Sequence, residues 1–438
     1  MIFFLLSALF LRLIGFTSSA IWYDEVHSLF RATHPLTYFN LWEISLRPFA
    51  HGPLWMLRLP ALICAMGSLW LAWLIMVELK FNNGQRLIAC IFLTAFPGLI
   101  WMSQDARYYA MITLAGPATI YLALRHHWTF GLVFGLLYFI HPTAPAYGLA
   151  AFVVALITGI DRRNFLFAMG AALLTHLSMT GLISLIPTVP FTEGMCCQGH
   201  TQGWWLGPMT TPFSAYSLVQ AFFVNTLSAW WMMAALLWLG VMIFYAYLHP
   251  RQIPALMVSI PFGAIVIVSL TYQNVFFYRP LMPLTLPLSL WIGYMRDRIM
   301  FAPFMLVLLI VGLIGYNPAD RGAYVDQAAA RIRQAWQPGD RIMYEDGLTA
   351  APFDYYLHDL PACMLSEELL PQGYPLTLCT SNEAGRAWLV RSYKAVPSYG
   401  GSPIVISDSG ISRDDAVLFD HLWPWQVRPI EVYLVDPQ

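Results

Sequence analysis

Residues 58–79 read RLPALICAMGSLWLAWLIMVEL, and this stretch decides the fold. Charge stands only near its ends, at Arg58 and Glu78, with nineteen uncharged residues between them. A helix rises about 1.5 Å per residue, so such a run spans roughly 29 Å, the thickness of a bilayer's hydrocarbon core. Stretches of the same kind recur on both sides of it. Eleven lie at about 1–20, 58–79, 87–102, 108–124, 129–140, 143–160, 165–186, 225–247, 253–271, 280–295 and 299–316. The stretch 129–140 is short for a full span and ends at His141-Pro142, which predicts a kinked or re-entrant segment. Of the 438 residues, 58% are hydrophobic and 11% charged, against roughly 25% charged in soluble domains.

The charges are segregated. Residues 1–316 carry 14 Lys/Arg and 8 Asp/Glu, a net +6, whereas residues 317–438 carry 9 and 16, a net −7. The chain therefore reads as two domains, a transmembrane body over 1–316 and an acidic, water-exposed domain over 317–438. In the second, short apolar runs alternate with turn residues, as in Gly339-Asp340 before Arg341-Ile342-Met343-Tyr344, and a small α/β fold is expected. No basic run of useful length exists, which excludes nucleic acid as a partner.

Basic residues orient the body. With the N-terminus in the cytoplasm, the short inner loops hold Lys80, Arg86, Arg125, Arg162, Arg163, Arg251, Arg296 and Arg298 against the acids Asp161 and Asp297. That is the positive-inside pattern of a multi-pass plasma (inner) membrane protein, and an odd number of spans places residues 317–438 outside. In an extracytoplasmic domain, Cys363 and Cys379 are candidates for a disulfide. The first segment carries Ser18-Ser19-Ala20 near its end, as a cleaved signal would. It lacks a basic n-region, however, and its one charge, Arg12, lies inside the apolar run, so it is read as a retained span. Two outer loops are long, 21–57 and 187–224.

Chemistry-bearing residues gather at the outer face. Asp24 and Glu25 follow the first span in Trp22-Tyr23-Asp24-Glu25-Val26-His27. Adjacent carboxylates at a membrane surface are costly to desolvate. Helical neighbours point about 100° apart, so the two would divide roles rather than share one ligand; a solvated loop edge is the alternative. After the third span comes Ser103-Gln104-Asp105-Ala106-Arg107-Tyr108-Tyr109. Asp105 and Arg107 suit a salt-bridged turn, or a carboxylate for a hard cation beside a guanidinium for a phosphate. His51, in His51-Gly52-Pro53-Leu54, Arg58, in Arg58-Leu59-Pro60-Ala61, and Arg279, in Tyr278-Arg279-Pro280-Leu281, share that face. Each alone could be a headgroup anchor, but together they are the set needed to hold an anionic lipid phosphate. Trp204-Trp205, with His200, fits either an interfacial aromatic belt or stacking on a sugar.

The order of these motifs resembles the GT-C superfamily of membrane glycosyltransferases, in the branch of protein O-mannosyltransferases and lipid A aminoarabinose transferases. The likeness covers residues 1–316. It comprises the acidic pair after the first span, the His51-Gly52-Pro53-Leu54 element, the Arg-Leu-Pro-Ala start of the next span, the Asp105–Tyr109 segment and an Arg before a Pro/Leu-rich late span. His51 is followed here by Gly rather than the commoner Pro. The resemblance implies an all-α polytopic, GT-C-like body and inverting transfer of a sugar from a polyprenyl-phosphate donor to an acceptor hydroxyl, on a lipid, glycan or protein. It implies Asp24 as general base, assisted by Glu25. A divalent cation, Mg²⁺ or Mn²⁺, would be held by Asp24, Glu25 and Asp105. Arg58, Arg107 and Arg279 would neutralise the donor phosphate, with His51, Tyr108 and Trp204 at the substrates. A transporter or flippase of lipid-linked sugars would instead show internal repeats and ionisable groups at mid-membrane depth, and a scaffold homologue would keep the fold without catalysis. No repeat is visible, and only Arg12 and His176 lie deep within spans.

Overall fold

The structure, a computed structural model, describes residues 1–17, 20–21, 23–33, 40–141, 143–184, 253–271, 282–295, 325–345, 347–365, 375–379, 386–391, 405–406 and 431–435. Contacts divide these residues into two compact units: one of 1–16 with the chain from 32 to 316, the other of 17–31 with 317–438.

The first unit is helical. Its helices are α1 (Ile2–Leu13), α3 (Leu41–Leu46), α4 (Leu54–Glu78), α5 (Asn83–Ala95), α6 (Pro97–Ser103), α7 (Tyr109–Leu124), α8 (Phe130–Leu137), α9 (Ala144–Ile157), α10 (Arg162–Ser184), α11 (Ile253–Thr271) and α12 (Thr285–Tyr294); α2 (Tyr23–Thr33) lies mainly in the second unit. Helix covers each predicted apolar stretch that falls among the described residues; 225–247 and 299–316 lie outside them. Among the described residues α4 alone is long and apolar enough to cross a bilayer by itself, and α5 with α6 qualifies as a pair bent by 54°. Helices α1, α7 and α9 are apolar but shorter. The short stretch at 129–140 is helical only over α8 and ends in turns.

Local chemistry sets these boundaries. Asn82 accepts from the Gln85 amide at 2.9 Å while Gln85 Oε1 accepts from the Asn82 amide at 3.0 Å, a reciprocal cap that starts α5. Pro97 has no N–H and ends that helix; the chain turns and restarts as α6. Where helices approach closely the residues are small. Gly131 and Gly135 stand one turn apart on α8, and a Cβ there would come within 1.9 Å of the Ala168 carbonyl oxygen and 2.6 Å of that of Ala172 on α10. Without a hydrophobic drive between helices in lipid, such close backbone packing is a main source of cohesion. Large apolar side chains point outward instead, Ile2, Phe3, Leu6 and Phe10 from α1 and Leu166, Phe167, Leu173 and Leu174 from α10. These faces suit lipid.

Helix ends meet in two groups. In one, Arg125 after α7 donates to Glu78 at the end of α4 at 3.2 Å, Gln85 Nε2 donates to the Tyr294 carbonyl at 2.9 Å, and Asn164 Nδ2 donates to that of His126 at 3.5 Å. In the other, Leu41 N donates to the Phe139 carbonyl at 2.9 Å, and Trp42 Nε1 to that of Ala106 at 3.1 Å.

The second unit is built on a five-stranded sheet of order β2-β1-β3-β5-β4, with β1 (Arg341–Tyr344), β2 (Ala362–Met364), β3 (Ala387–Arg391), β4 (Val405–Ile406) and β5 (Glu431–Val435). β1 pairs parallel with β2 and β3, and β5 pairs antiparallel with β3 and β4. Helix α13 (Val325–Ala335) precedes β1, and α14 (Gly347–Leu357) carries the crossover to β2 that a parallel pair requires. Ile332, Ile342, Tyr344, Phe353, Leu357 and Trp388 fill the core between helices and sheet. Cys363 and Cys379 are joined by a disulfide that ties β2 to the segment 375–379.

Candidate functional site

The corner between α6 and α7 is the centre of the first unit's polar cluster. Helix α6 stops at Ser103, whose Oγ donates to the Ile100 carbonyl at 2.5 Å, and Gln104 is its C-cap. The Arg107 amide then donates to the Asp105 carbonyl at 2.7 Å, folding 105–107 into a tight turn before α7 begins at Tyr109. Ser103, Gln104, Asp105 and Ala106 are all buried, with Asp105 only 1% exposed. Burying a carboxylate is costly, so a corner that does so is built for a purpose.

Helix α3 clamps this corner. Its N-cap Asn40 accepts from the Trp42 amide at 2.8 Å and donates through Nδ2 to the Ile140 carbonyl at 2.8 Å. Trp42 is fully buried and donates to the Ala106 carbonyl, between Asp105 and Arg107. Next to it, Glu43 is buried as well. Beyond the corner, the Arg107 guanidinium lies 4.9 Å from the centroid of the Tyr108 ring, a cation–π contact. The His141 ring stacks on Tyr108 at 4.1 Å and 12°, and the Tyr108 hydroxyl donates to that of Tyr109 at 3.0 Å. An aromatic shelf thus carries a guanidinium, an arrangement suited to a phosphate beside a planar or apolar group.

Arg58 is fully buried on α4 and donates through Nη1 to the Phe16 carbonyl at 3.2 Å. His51 is exposed, in the turn that follows the 3₁₀ segment Arg47–Phe49. The glycine after it has a structural reason. Gly52 N–H donates to the Phe49 carbonyl at 3.1 Å, which proline could not do, and a Cβ would sit 2.8 Å from Met56 Sδ.

Asp24 and Glu25 belong to the second unit. Ala20 joins the core of α13, α14 and the sheet, and the Ile21 amide donates to the Tyr356 hydroxyl on α14 at 3.0 Å. Burial pushes that hydroxyl up to about 12, so it stays protonated and the contact persists through neutral pH. Asp24 and Glu25 stand in the first turn of helix α2, with Glu25, Val26, Ser28 and Phe30 buried. The Asp24 side chain, Arg279 and Trp204 lie outside the described residues. Among the described residues no three His, Cys, Asp or Glu side chains come together as metal ligands.

The structure therefore gathers Asp105, Arg107 and Tyr108 in one corner of the first unit and sets Asp24 and Glu25 on a segment of the second. Sequence reasoning missed Asn40, Trp42, Glu43, His141 and Tyr356. Glu43 had a signal, a lone acid in an apolar hexapeptide; the others were visible only through partners remote in sequence.

These features define a helical membrane protein with a small mixed-sheet unit. No family model matches the chain, and no curated protein matches its sequence. Among solved structures, ArnT from Cupriavidus metallidurans in the apo state is similar, with a TM-score of 0.58 and 14% identity over 98% of this chain and 97% of that one. ArnT bound to undecaprenyl phosphate gives 0.55 at the same identity and coverage. ArnT is a lipid A aminoarabinose transferase, a GT-C glycosyltransferase, and at this identity the likeness is one of fold.

Proposed function

We propose that this chain is a glycosyltransferase of the inner membrane, moving a sugar from a polyprenyl-phosphate donor to an acceptor hydroxyl on the extracytoplasmic face. The observation that carries the reading is the fold shared end to end with ArnT, one structure of which holds undecaprenyl phosphate. The corner of buried Asp105 and half-buried Arg107 supports it, being a cation on an aromatic shelf. The disulfide favours an extracytoplasmic second unit, since such bonds persist in oxidising compartments.

In this reading Asp24 takes the proton of the acceptor hydroxyl as its oxygen attacks the anomeric carbon. The carbon–oxygen bond to the phosphate breaks, the configuration inverts, and the polyprenyl phosphate leaves with the bonding pair. Arg58, Arg107 and Arg279 offset the charge that grows on the leaving phosphate. Tyr108, His51 and Trp204 are assigned to the substrates. A cation held by Asp24, Glu25 and Asp105 is a separable proposal. Because the described carboxylates do not assemble a ligand set, no step is routed through it. Loss of transfer on chelation, restored by Mn²⁺ or Mg²⁺, would support the cation; undiminished transfer in EDTA would remove it.

The flippase alternative loses ground on Arg12. That charge faces backbone carbonyls of α5 rather than a transport path. The deciding experiment supplies purified protein with a panel of polyprenyl-phosphate sugars and compares wild type with Asp24→Asn. A loss of at least about 10²-fold is expected for the variant, the usual scale for a positioned base. Equal rates would rule out Asp24 as the base, and no transfer from any donor by the wild type would sink the transferase reading.

A further inference from the structure

We infer that Arg12 is a positioning residue, whose guanidinium holds the break between α5 and α6 and so sets the corner carrying Asp105 and Arg107. The inference rests on the reading of that corner as the donor-phosphate site. In an unbroken helix the Leu93 carbonyl would accept from the N–H of residue 97. That residue is proline and has none. Arg12, from α1, fills the gap: Nη2 donates to the Leu93 carbonyl at 3.0 Å and Nη1 to that of Thr94 at 3.3 Å, with a further bond to Ala8 on its own helix at 3.0 Å. Arg12 is 1% exposed in an otherwise apolar segment. A cation there is expensive unless its protons are used, and the fork of a guanidinium can span two carbonyls where one ammonium cannot match the geometry.

The contact is returned from the far end of α6. Gln104 Nε2 donates to the Arg12 carbonyl at 2.9 Å and the Ile14 carbonyl at 2.6 Å. These oxygens lie at the C-terminal end of α1, where Gly15 turns the chain at a φ of 74°. So α1 caps the helix before α6, and the residue after α6 caps α1. This clasp grips the seven buried residues of α6 at both ends. Asp105 is the next residue along, so release of either end moves the corner.

The test uses full-length protein in lipid nanodiscs, comparing wild type, Arg12→Met, Arg12→Lys and Arg12→Met with Pro97→Ala. Backbone hydrogen exchange over 93–108 reads the corner, and exchange over 144–157 (α9), in the same unit, reports on its overall folding. Undecaprenyl phosphate binding is measured alongside. For Arg12→Met we expect about tenfold or faster exchange over 93–108, unchanged exchange in α9, and binding weakened by a similar factor, the scale of a lost charge-assisted hydrogen bond. Pro97→Ala gives the Leu93 carbonyl its own N–H donor and should recover part of the protection, which a general loss of packing would not. If Arg12→Met does not accumulate, Arg12→Lys decides, with a smaller change in the same direction expected. Unaltered exchange over 93–108 in a folded variant overturns the inference. Failure of the wild type to bind undecaprenyl phosphate would count against the donor reading alone, because the exchange arm tests the clasp without it.

Discussion

Replacing Asp340 by Asn should weaken the second unit in a way that depends on pH. Asp340 precedes β1 and is almost fully buried. Its carboxylate accepts from Arg386 Nε at 2.7 Å and Nη2 at 2.6 Å, from Trp388 Nε1 at 2.9 Å and from the Gln337 amide at 2.9 Å. Trp388 belongs to β3 and Arg386 immediately precedes it, so one carboxylate fastens the two adjacent parallel strands β1 and β3. The Arg386 guanidinium, foremost among these donors, lowers the carboxyl from 3.8 to about 2. At 1.36 kcal/mol per unit that drop is worth at most about 2.4 kcal/mol. Arg386 is 22% exposed, and screening there leaves roughly 1–2 kcal/mol. Because the folded carboxyl is the more acidic, its stabilisation is complete above about pH 4 and fades as the pH falls from there towards 2. Urea-titrated proteolysis of the full-length protein, scoring fragments from 317–438, measures the effect. At pH 7 Asp340→Asn should unfold at lower urea by an amount equivalent to about 1–2 kcal/mol, and the gap to wild type should close by pH 2. No gap at pH 7, or a gap as wide at pH 2, would refute the reasoning.

Gly131→Val should loosen α8 from α10, because its Cβ would meet a backbone oxygen that cannot yield; a loss of about 1–3 kcal/mol or more, seen as a lower melting temperature, is expected. Gly170→Ala on α10 is its control, since nothing lies within 4 Å of the added carbon, and it should melt no lower than wild type. Tyr356→Phe leaves the Ile21 amide without its acceptor and frees the segment leading to Asp24 and Glu25. Transfer kinetics should show kcat reduced by about 2–10-fold with donor KM nearly unchanged, the value of one hydrogen bond. Cys363→Ser opens a bridge of sequence separation 16 and should cost the second unit about 3 kcal/mol in the same proteolysis assay.

The apolar helices were legible because lipid imposes a harsh rule: a run such as 58–79 can have few other fates, and α4 occupies Leu54–Glu78. The corner at 104–108 was legible as well, since an acid and an arginine at the end of an apolar run need an account. The bend at Phe96-Pro97 was not, because 87–102 is apolar on both sides of it and proline alone does not say whether a helix kinks or stops. What settles it is Arg12, more than eighty residues earlier in the chain. The membership of 17–31 was hidden for a related reason. Ala20 looks like the last residue of a span and Ile21 like the start of a loop, and apolar character does not say whether lipid or another protein surface will cover it.

That ambiguity bears on function. In a water-soluble domain a buried residue is usually apolar and an exposed one polar, so burial alone carries little chemical information. Here Phe3 is 84% exposed, while Arg12, Glu25, Arg58, Gln104 and Asp105 are at most 1% exposed. Lipid removes the reason to hide phenylalanine and leaves the protein interior as the place where charge can find partners. Each buried charge must then either hold the backbone together or serve a ligand, and geometry separates the two. Arg12 has two α5 carbonyls to satisfy and Asp340 two strands to join, which are structural duties. Arg107, half-buried, lies along an aromatic ring beside a corner clamped from two sides, the arrangement that the donor-phosphate reading uses. It is therefore at the Asp105–Tyr108 corner, rather than at the more conspicuous adjacent acids alone, that donor-binding variants will be most informative.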